Sequence, residues 1–248
     1  MAGAALPGRL TWQLADVVEL VDETSRVRTL ILRCPDWPGH LAGQHVDVRL
    51  TAEDGYQAER SYSVASAPED ELLALTVERL VDGEVSPYLV EELRPGDKLE
   101  LRGPIGGYFV WEQSFGGPLL LLAGGSGIVP LRAILRHRAA TRSSVPTRLL
   151  YSVRSEREII YRSELDGLAR DALEVRYTLT RDRPQGWSGF LGRIDDETLR
   201  EISWQPAEHP LVYVCGPTGF VEQAANGLVR LGHDPLRVRT ERFGPSGA

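Results

Sequence analysis

Apolar and polar positions change rhythm once along this chain. Up to about residue 110 the apolar runs are short, as in "WQLADVVELV" (12–21), "VRTLILRC" (27–34), "QHVDVRL" (44–50), "RSYSVA" (60–65) and "LLALTVERL" (72–80). Runs of this length, rich in valine, leucine and threonine and parted by turn formers such as "CPDWPG" and "AEDG", predict strands. At such spacing they predict an antiparallel sandwich or barrel. One helical exception, "SPYLVEEL" (86–93), follows "VDGEV".

Beyond "FGGP" the pattern differs. "LLLLAGG" (119–125) is continuously apolar, as suits a strand buried on both faces. "GIVPLRAILRHRAA" (127–140) reads as a helix, with Leu131, Ile134 and Leu135 at helical spacing. The strands "TRLLYSV", "LEVRYTLT", "PLVYVCG" and "LRVRTER" then alternate with helices in "YRSELDGLARD" and "TGFVEQAANGLVRLG". Such alternation predicts a parallel α/β sheet. The boundary is expected in "WEQSFGG" (111–117), giving an N-terminal antiparallel β-barrel over 1–112 and a C-terminal α/β domain over 113–248.

Composition narrows the chemistry. The 248 residues can bury a substantial core. A net charge of −7 argues against general nucleic-acid binding. No run approaches the roughly 20 apolar residues of a membrane span. The opening "MAGAALPGRL" lacks a basic stretch followed by an apolar one, so no export signal is read and a cytoplasmic setting is expected. The two cysteines, Cys34 and Cys215, are too few for an all-thiolate iron–sulphur cluster. Five scattered histidines show no metal-ligand spacing, so no metal site is expected. Redox chemistry would therefore fall to an organic cofactor.

Three stretches offer candidate sites. In "ERSYSVASAP", Arg60 and Tyr62 stand two apart on a strand and share a face. A fixed charge beside a flat ring suits a ligand anionic at one end and aromatic at the other. In "LLLLAGGSGIVPLRAIL", Gly124, Gly125 and Gly127 lie between a buried strand and a helix, where a phosphate can approach backbone N–H groups. The spacing is neither G-x-G-x-x-G nor a P-loop, and glycines that only close the turn are the alternative. Pro130 falls in the first helical turn, where a missing N–H is tolerated. Cys215, Gly216 and Pro217 mark a second strand-to-helix turn on the edge where open α/β sheets bind ligands. A small buried hydrophobe is the other reading of Cys215.

The motifs "RSYS" (60–63), "VDGEVS" (81–86), "GGSGIVP" (124–130), "CGP" (215–217) and "ERF" (241–243) occur in this order. With them the whole chain resembles the ferredoxin–NADP reductase family of flavoproteins. More narrowly, it resembles bacterial FAD-containing reductases that feed electrons to oxygenases or other redox partners. The resemblance implies that Arg60 pairs with the FAD pyrophosphate and Tyr62 packs on the isoalloxazine, the alternative being a surface salt bridge for Arg60 and a core place for Tyr62. Ser61 belongs to the same run, and Ser63 would hydrogen-bond near the ring nitrogen that accepts hydride. Strand alternation points Ser63 away from Tyr62, so a bend or bulge is expected there. Val77, Glu78 and Arg79 would bracket the flavin through their backbone. Gly83, Val85 and Ser86 would approach its pyrophosphate, with Ser86 also a natural helix N-cap.

In the second half the resemblance assigns Gly124, Gly125, Ser126, Gly127 and Pro130 to the nicotinamide dinucleotide's pyrophosphate. Cys215, Gly216 and Pro217 would flank the nicotinamide. Glu241 would be the acid near hydride transfer, and Phe243 either an aromatic cover for the flavin or packing between domains. The family's plant-type members end at that aromatic, whereas "GPSGA" follows here. Arg181 first, then Arg154, would meet the 2′-phosphate of NADPH, with NADH and a mixed-charge surface as the alternatives. Ser63, Cys215 and Glu241 would position rings and protons.

The expected function is an FAD-dependent NAD(P)H oxidoreductase that passes electrons to a separate ferredoxin, flavodoxin, haem or molybdenum protein. The alternatives are an electron-transfer subunit of a larger complex and a non-catalytic nucleotide-binding module. Neither nucleic acid nor membrane is an expected partner.

Overall fold

The computed structural model describes residues 10–169 and 172–244. Residues 1–9, behind the export reading, Arg170 and Asp171 of an expected helix, and the tail after Gly244 lie outside the described residues.

The short alternating runs form β1 (Trp12–Thr24), β2 (Val27–Arg33), β3 (His45–Thr51), β4 (Gln57–Ser63), β5 (Leu73–Glu78) and β6 (Lys98–Ile105). They pair antiparallel in the order β4-β3-β6-β1-β2-β5. An isolated bridge from Val64 to Leu75 joins the outer strands into a barrel, which removes the free edges an open sheet would expose. Inward residues such as Leu30, Leu32, Val46, Val48, Leu75 and Leu101 fill it. The predicted helix appears as one turn with widened hydrogen-bond spacing, Tyr88–Glu92. Strand β6 stands outside the predicted set. Its alternation, with Leu99 and Leu101 buried, is cut short by Gly103-Pro104 and preceded by the turn-like "RPGD".

The second half runs β7 (Leu119–Gly124), α1 (Ile128–Ala140), β8 (Thr147–Val153), α2 (Arg162–Leu168), β9 (Leu173–Leu179), β10 (Phe190–Leu191), α3 (Asp196–Ile202), β11 (Leu211–Gly216), α4 (Thr218–Arg230) and β12 (Val238–Arg242). All strands pair parallel, ordered β10-β9-β8-β7-β11-β12. The leucine run of β7 is buried on both faces. Leu119 and Leu121 join the cluster of α1, while Leu120 and Leu122 join that of α3 and α4. Both β10 and α3 are additions to the predicted elements. The one local signal for α3 is Asp195, whose carboxylate accepts the Thr198 N–H as an N-cap.

Strand β7 lies between β8 and β11, so the chain leaves β7 for α1 on one face and β11 for α4 on the other. The carboxyl ends of β7 and β11 therefore flank a topological switch point, where such sheets open a crevice. Helix α1 fixes this edge against the barrel. Val27, Ala42, Ala65 and Ala74 of the first half share one apolar cluster with Ile128, Leu131 and Leu135. Polar ties surround it. Arg136 bridges Asp70 (2.7 Å) and Glu164 (2.8 Å), Arg132 donates to the Ala65 carbonyl (3.1 Å), and the buried Tyr161 hydroxyl meets Thr76.

Candidate functional site

The two glycine turns are packed backbone to backbone. A Cβ built on Gly127 would lie 2.1 Å from the Cys215 carbonyl oxygen and 2.7 Å from the Gly216 nitrogen. Only hydrogen fits there. Gly125 is a different case, with open space around it and a φ of 55° that glycine adopts without strain. Ser126 is partly exposed between them, and Pro130 is buried in the first turn of α1. The fold thus gathers Gly124, Gly125, Ser126, Gly127 and Pro130 with Cys215, Gly216 and the exposed Pro217 at the switch-point edge of the sheet, past the carboxyl ends of β7 and β11.

Strand β12 closes one side of it. Cys215 pairs with Glu241 in the β11–β12 register, and the Phe243 N–H donates to the Gly216 carbonyl at 3.0 Å. Cys215 is 0% exposed, and burial, with the Glu241 carboxylate next, pushes its thiol well above the ordinary range. It offers shape and a backbone carbonyl rather than a thiolate nucleophile. Phe243 packs half-buried against the cluster shared by both halves.

Glu241 Oε2 is buried with no hydrogen-bond partner among the described residues, and burial raises the carboxyl to about 7. A group titrating there can hold or release a proton at neutral pH. Its folded pKa exceeds the ordinary 4.5, so its contribution to stability is fully present below about pH 4.5 and lost as pH rises through about 7. Glu241→Gln, uncharged throughout, is expected to flatten the fall in unfolding free energy from about pH 5 to about pH 8. Urea unfolding of both proteins at these pH values checks it, and an unaltered slope would refute the buried carboxyl.

In the barrel, β4 pairs with β3 in unbroken register from Gln57–Thr51 to Ser63–His45. The bulge expected at Tyr62–Ser63 is therefore not present. The chain turns one residue later, where Val64 donates to Gln44 and bridges Leu75 to close the barrel. Tyr62 is half-buried, its hydroxyl pushed up to about 12 by burial. Ser63 is buried on the opposite face, with its Oγ unpartnered among the described residues. The Ser61 hydroxyl donates to Asp47 at 2.7 Å. Arg60 is exposed and reaches Glu84 Oε2 (2.5 Å) and the Glu59 carbonyl (2.7 Å).

Val77 is wholly buried, Glu78 meets Arg26 at 3.2 Å, and Arg79 lies 2.7 Å from Glu91. Val85 is buried, and a Cβ on Gly83 would come within 2.8 Å of Ser86 Oγ. Ser86 does not cap the following helix. Its Oγ accepts the Leu80 N–H at 3.0 Å instead, closing the loop over 80–86. Proline at 87 has no N–H to offer the start of that turn.

Past the carboxyl ends of β8 and β9, the Arg154 carbonyl accepts the N–H groups of Arg181 (2.9 Å) and Asp182 (3.0 Å). Gly192 donates to Leu179 and accepts from Thr178, which ties the segment carrying Arg193 to the end of β9. The sequence reading missed Arg193, which follows a two-residue strand with no periodic signal of its own. Arg154, Arg181 and Arg193 are exposed, and none forms an ion pair with the described residues. Among these residues no cluster could hold a metal ion, and no helix is long and apolar enough to cross a membrane.

Comparison with known proteins places names beside this geometry. The oxidoreductase FAD-binding domain matches residues 14–110, and the oxidoreductase NAD-binding domain matches residues 121–226. Ferredoxin–NADP reductase B of Sorangium cellulosum is 36% identical over 214 residues, 82% of this chain and 84% of that protein. The glycine betaine monooxygenase reductase subunit of Chromohalobacter salexigens is 30% identical over 239 residues, 93% of this chain. This chain spans only 64% of that relative's length. The FAD/NAD-binding domain of nitric oxide dioxygenase from Vibrio cholerae superposes with a TM-score of 0.84 at 27% identity, over 94% of this chain and 99% of that domain.

Proposed function

Because this chain belongs to the ferredoxin–NADP reductase family of FAD- and NAD(P)-binding oxidoreductases, we propose that it oxidises NADPH at the crevice between its halves and delivers the electrons to a separate redox protein. The observation that carries this reading is a buried, unpartnered polar atom in each half, Ser63 Oγ and Glu241 Oε2. Each stands two residues along the chain from a residue at the apolar cluster shared by both halves, Ala65 within it and Phe243 packed against it. Unpaired buried groups are costly, and a flavin ring with its polar edge would satisfy them.

When bound, FAD supplies hydride acceptance and release of single electrons. Arg60 would hold its pyrophosphate through charge-assisted bonds, with Gly83, Val85 and Ser86 shaping the approach. Tyr62 would cover the ring, Ser63, the last residue of β4 where the chain turns at Val64, would hydrogen-bond its polar edge from the other face of the strand, and the backbone of Val77, Glu78 and Arg79 would line it. Gly124 to Gly127 and Pro130 would let the second dinucleotide's phosphates reach the backbone. Cys215, Gly216 and Pro217 would form the floor for its nicotinamide, and Glu241 would hold a proton at the mouth. We set the domain boundary at 112/113, in the interval between the two family matches.

The acceptor would be a ferredoxin, flavodoxin, haem or molybdenum protein in the cytoplasm. The relative named as a monooxygenase reductase subunit also favours a second form of the reading, in which the chain works inside a larger oxidoreductase complex.

Exposed arginines on this edge, Arg154, Arg181 and Arg193 among them, that form no ion pair with the described residues favour the 2′-phosphate of NADPH over NADH. With ferricyanide as acceptor, the FAD-loaded protein is expected to oxidise NADPH. The double variant Arg181→Ala/Arg193→Ala is expected to lose about 10- to 100-fold in kcat/KM for NADPH, from the charge-assisted bonds removed, while NADH changes little. Oxidation of neither nucleotide would sink the proposal, and equal losses for both would sink the arginine assignment.

A further inference from the structure

We infer that Glu84 is a built-in competitor for the flavin pyrophosphate, its carboxylate occupying the anion position on Arg60 so that FAD binds by displacing it. This rests on the reading of Arg60 as the pyrophosphate partner. The contact is specific. Arg60 Nη2 lies 2.5 Å from Glu84 Oε2, and the other carboxylate oxygen accepts the Tyr56 hydroxyl at 2.9 Å. Tyr56 is held in turn by a tight loop, its N–H donating to Asp54 (2.9 Å) and its carbonyl accepting from Ala52 (2.8 Å). The Glu84 backbone is anchored on its other side by buried Val85 and by the Ser86–Leu80 bond.

A stand-in anion is therefore aimed at the guanidinium by residues of two loops. The Tyr56 hydroxyl first, and Arg60 next, hold the Glu84 carboxyl below its usual range, so it is ionised at neutral pH. Arg60 is the charged group that acts on it, while Glu59, next to Arg60 in β4, reaches Arg102 instead, at 3.7 Å. A carboxylate and a diphosphate cannot both accept from the same N–H donors of Arg60 at once, so one displaces the other there. Because the pair is about half exposed, displacing Glu84 is feasible. The competition then tunes affinity without blocking binding.

The test is a titration of flavin-free protein, followed by flavin fluorescence, with FAD and with riboflavin, which has the ring but no phosphate. Glu84→Gln and Glu84→Ala are each expected to tighten the Kd for FAD about three- to tenfold, the range of a partly exposed ion pair, and to leave riboflavin unchanged. Tyr56→Phe should shift it the same way by less. In an Arg60→Ala background, where FAD binds more weakly, removing Glu84 should have no effect. Unchanged or weakened FAD binding in the Glu84 variants overturns the inference, as does tightening that persists without Arg60 or extends to riboflavin. Wild-type protein that binds neither flavin overturns the underlying cofactor reading as well.

Discussion

Alanine at position 127 is expected to destabilise the protein by about 3 kcal/mol or more and to abolish tight nucleotide binding, although only a methyl group is added. Gly127 has an ordinary helical φ of −61°, so backbone strain is not the obstacle. The obstacle is the Cys215 carbonyl, 2.1 Å from where the new Cβ would sit. Neither backbone can yield without parting the two turns that form the crevice. Gly219 supplies the control. It lies in the first turn of α4 with nothing within 4 Å of an added Cβ, so Gly219→Ala should be neutral or stabilising by up to about 1 kcal/mol. Thermal melting and NADPH titration of both variants check this pair. A Gly127→Ala protein that melts and binds like wild type would show that the turns are not in close contact.

Ser63→Ala is expected to do the opposite, sparing the fold and damaging the reaction. The hydroxyl is buried but has no partner among the described residues, so removing it deletes no internal hydrogen bond and should not lower stability. If Ser63 instead completes its bonding with the flavin's reactive edge, flavin reduction by NADPH should slow about 100-fold or more, the scale of losing one preorganised polar contact at a reacting centre. Stopped-flow reduction, set beside FAD content and melting temperature, separates the two effects. Unchanged melting with an unchanged rate would make Ser63 an ordinary core residue.

These expectations draw on features that the sequence shows unevenly. The uninterrupted leucines of β7 and the glycines after them were readable because burial on both faces and a tight turn each leave a local mark. Strand β6 was not, since Leu99 and Leu101 alternate for only a few residues before Gly103-Pro104. Helix α3 has one N-cap and two buried residues, too few for a periodic signal. Arg193 becomes a candidate only when Gly192 is seen paired to Leu179. Contacts between distant segments carry no local pattern at all. Arg136 on Asp70, Gly127 against Cys215 and Glu84 on Arg60 are set by the closing of the fold, not by neighbours along the chain. Ser86 shows the reverse error, since its residue type suggested a helix cap while the loop over 80–86 needed its oxygen for Leu80.

The most direct measurement is anaerobic mixing of FAD-loaded protein with NADPH, monitoring the flavin's visible absorbance. If the crevice brings nicotinamide and flavin together as proposed, one equivalent of NADPH bleaches the flavin, and NADH does so more slowly. Flavin that stays oxidised with either nucleotide, yet bleaches with dithionite, would mean that the two cofactors do not meet in this protein.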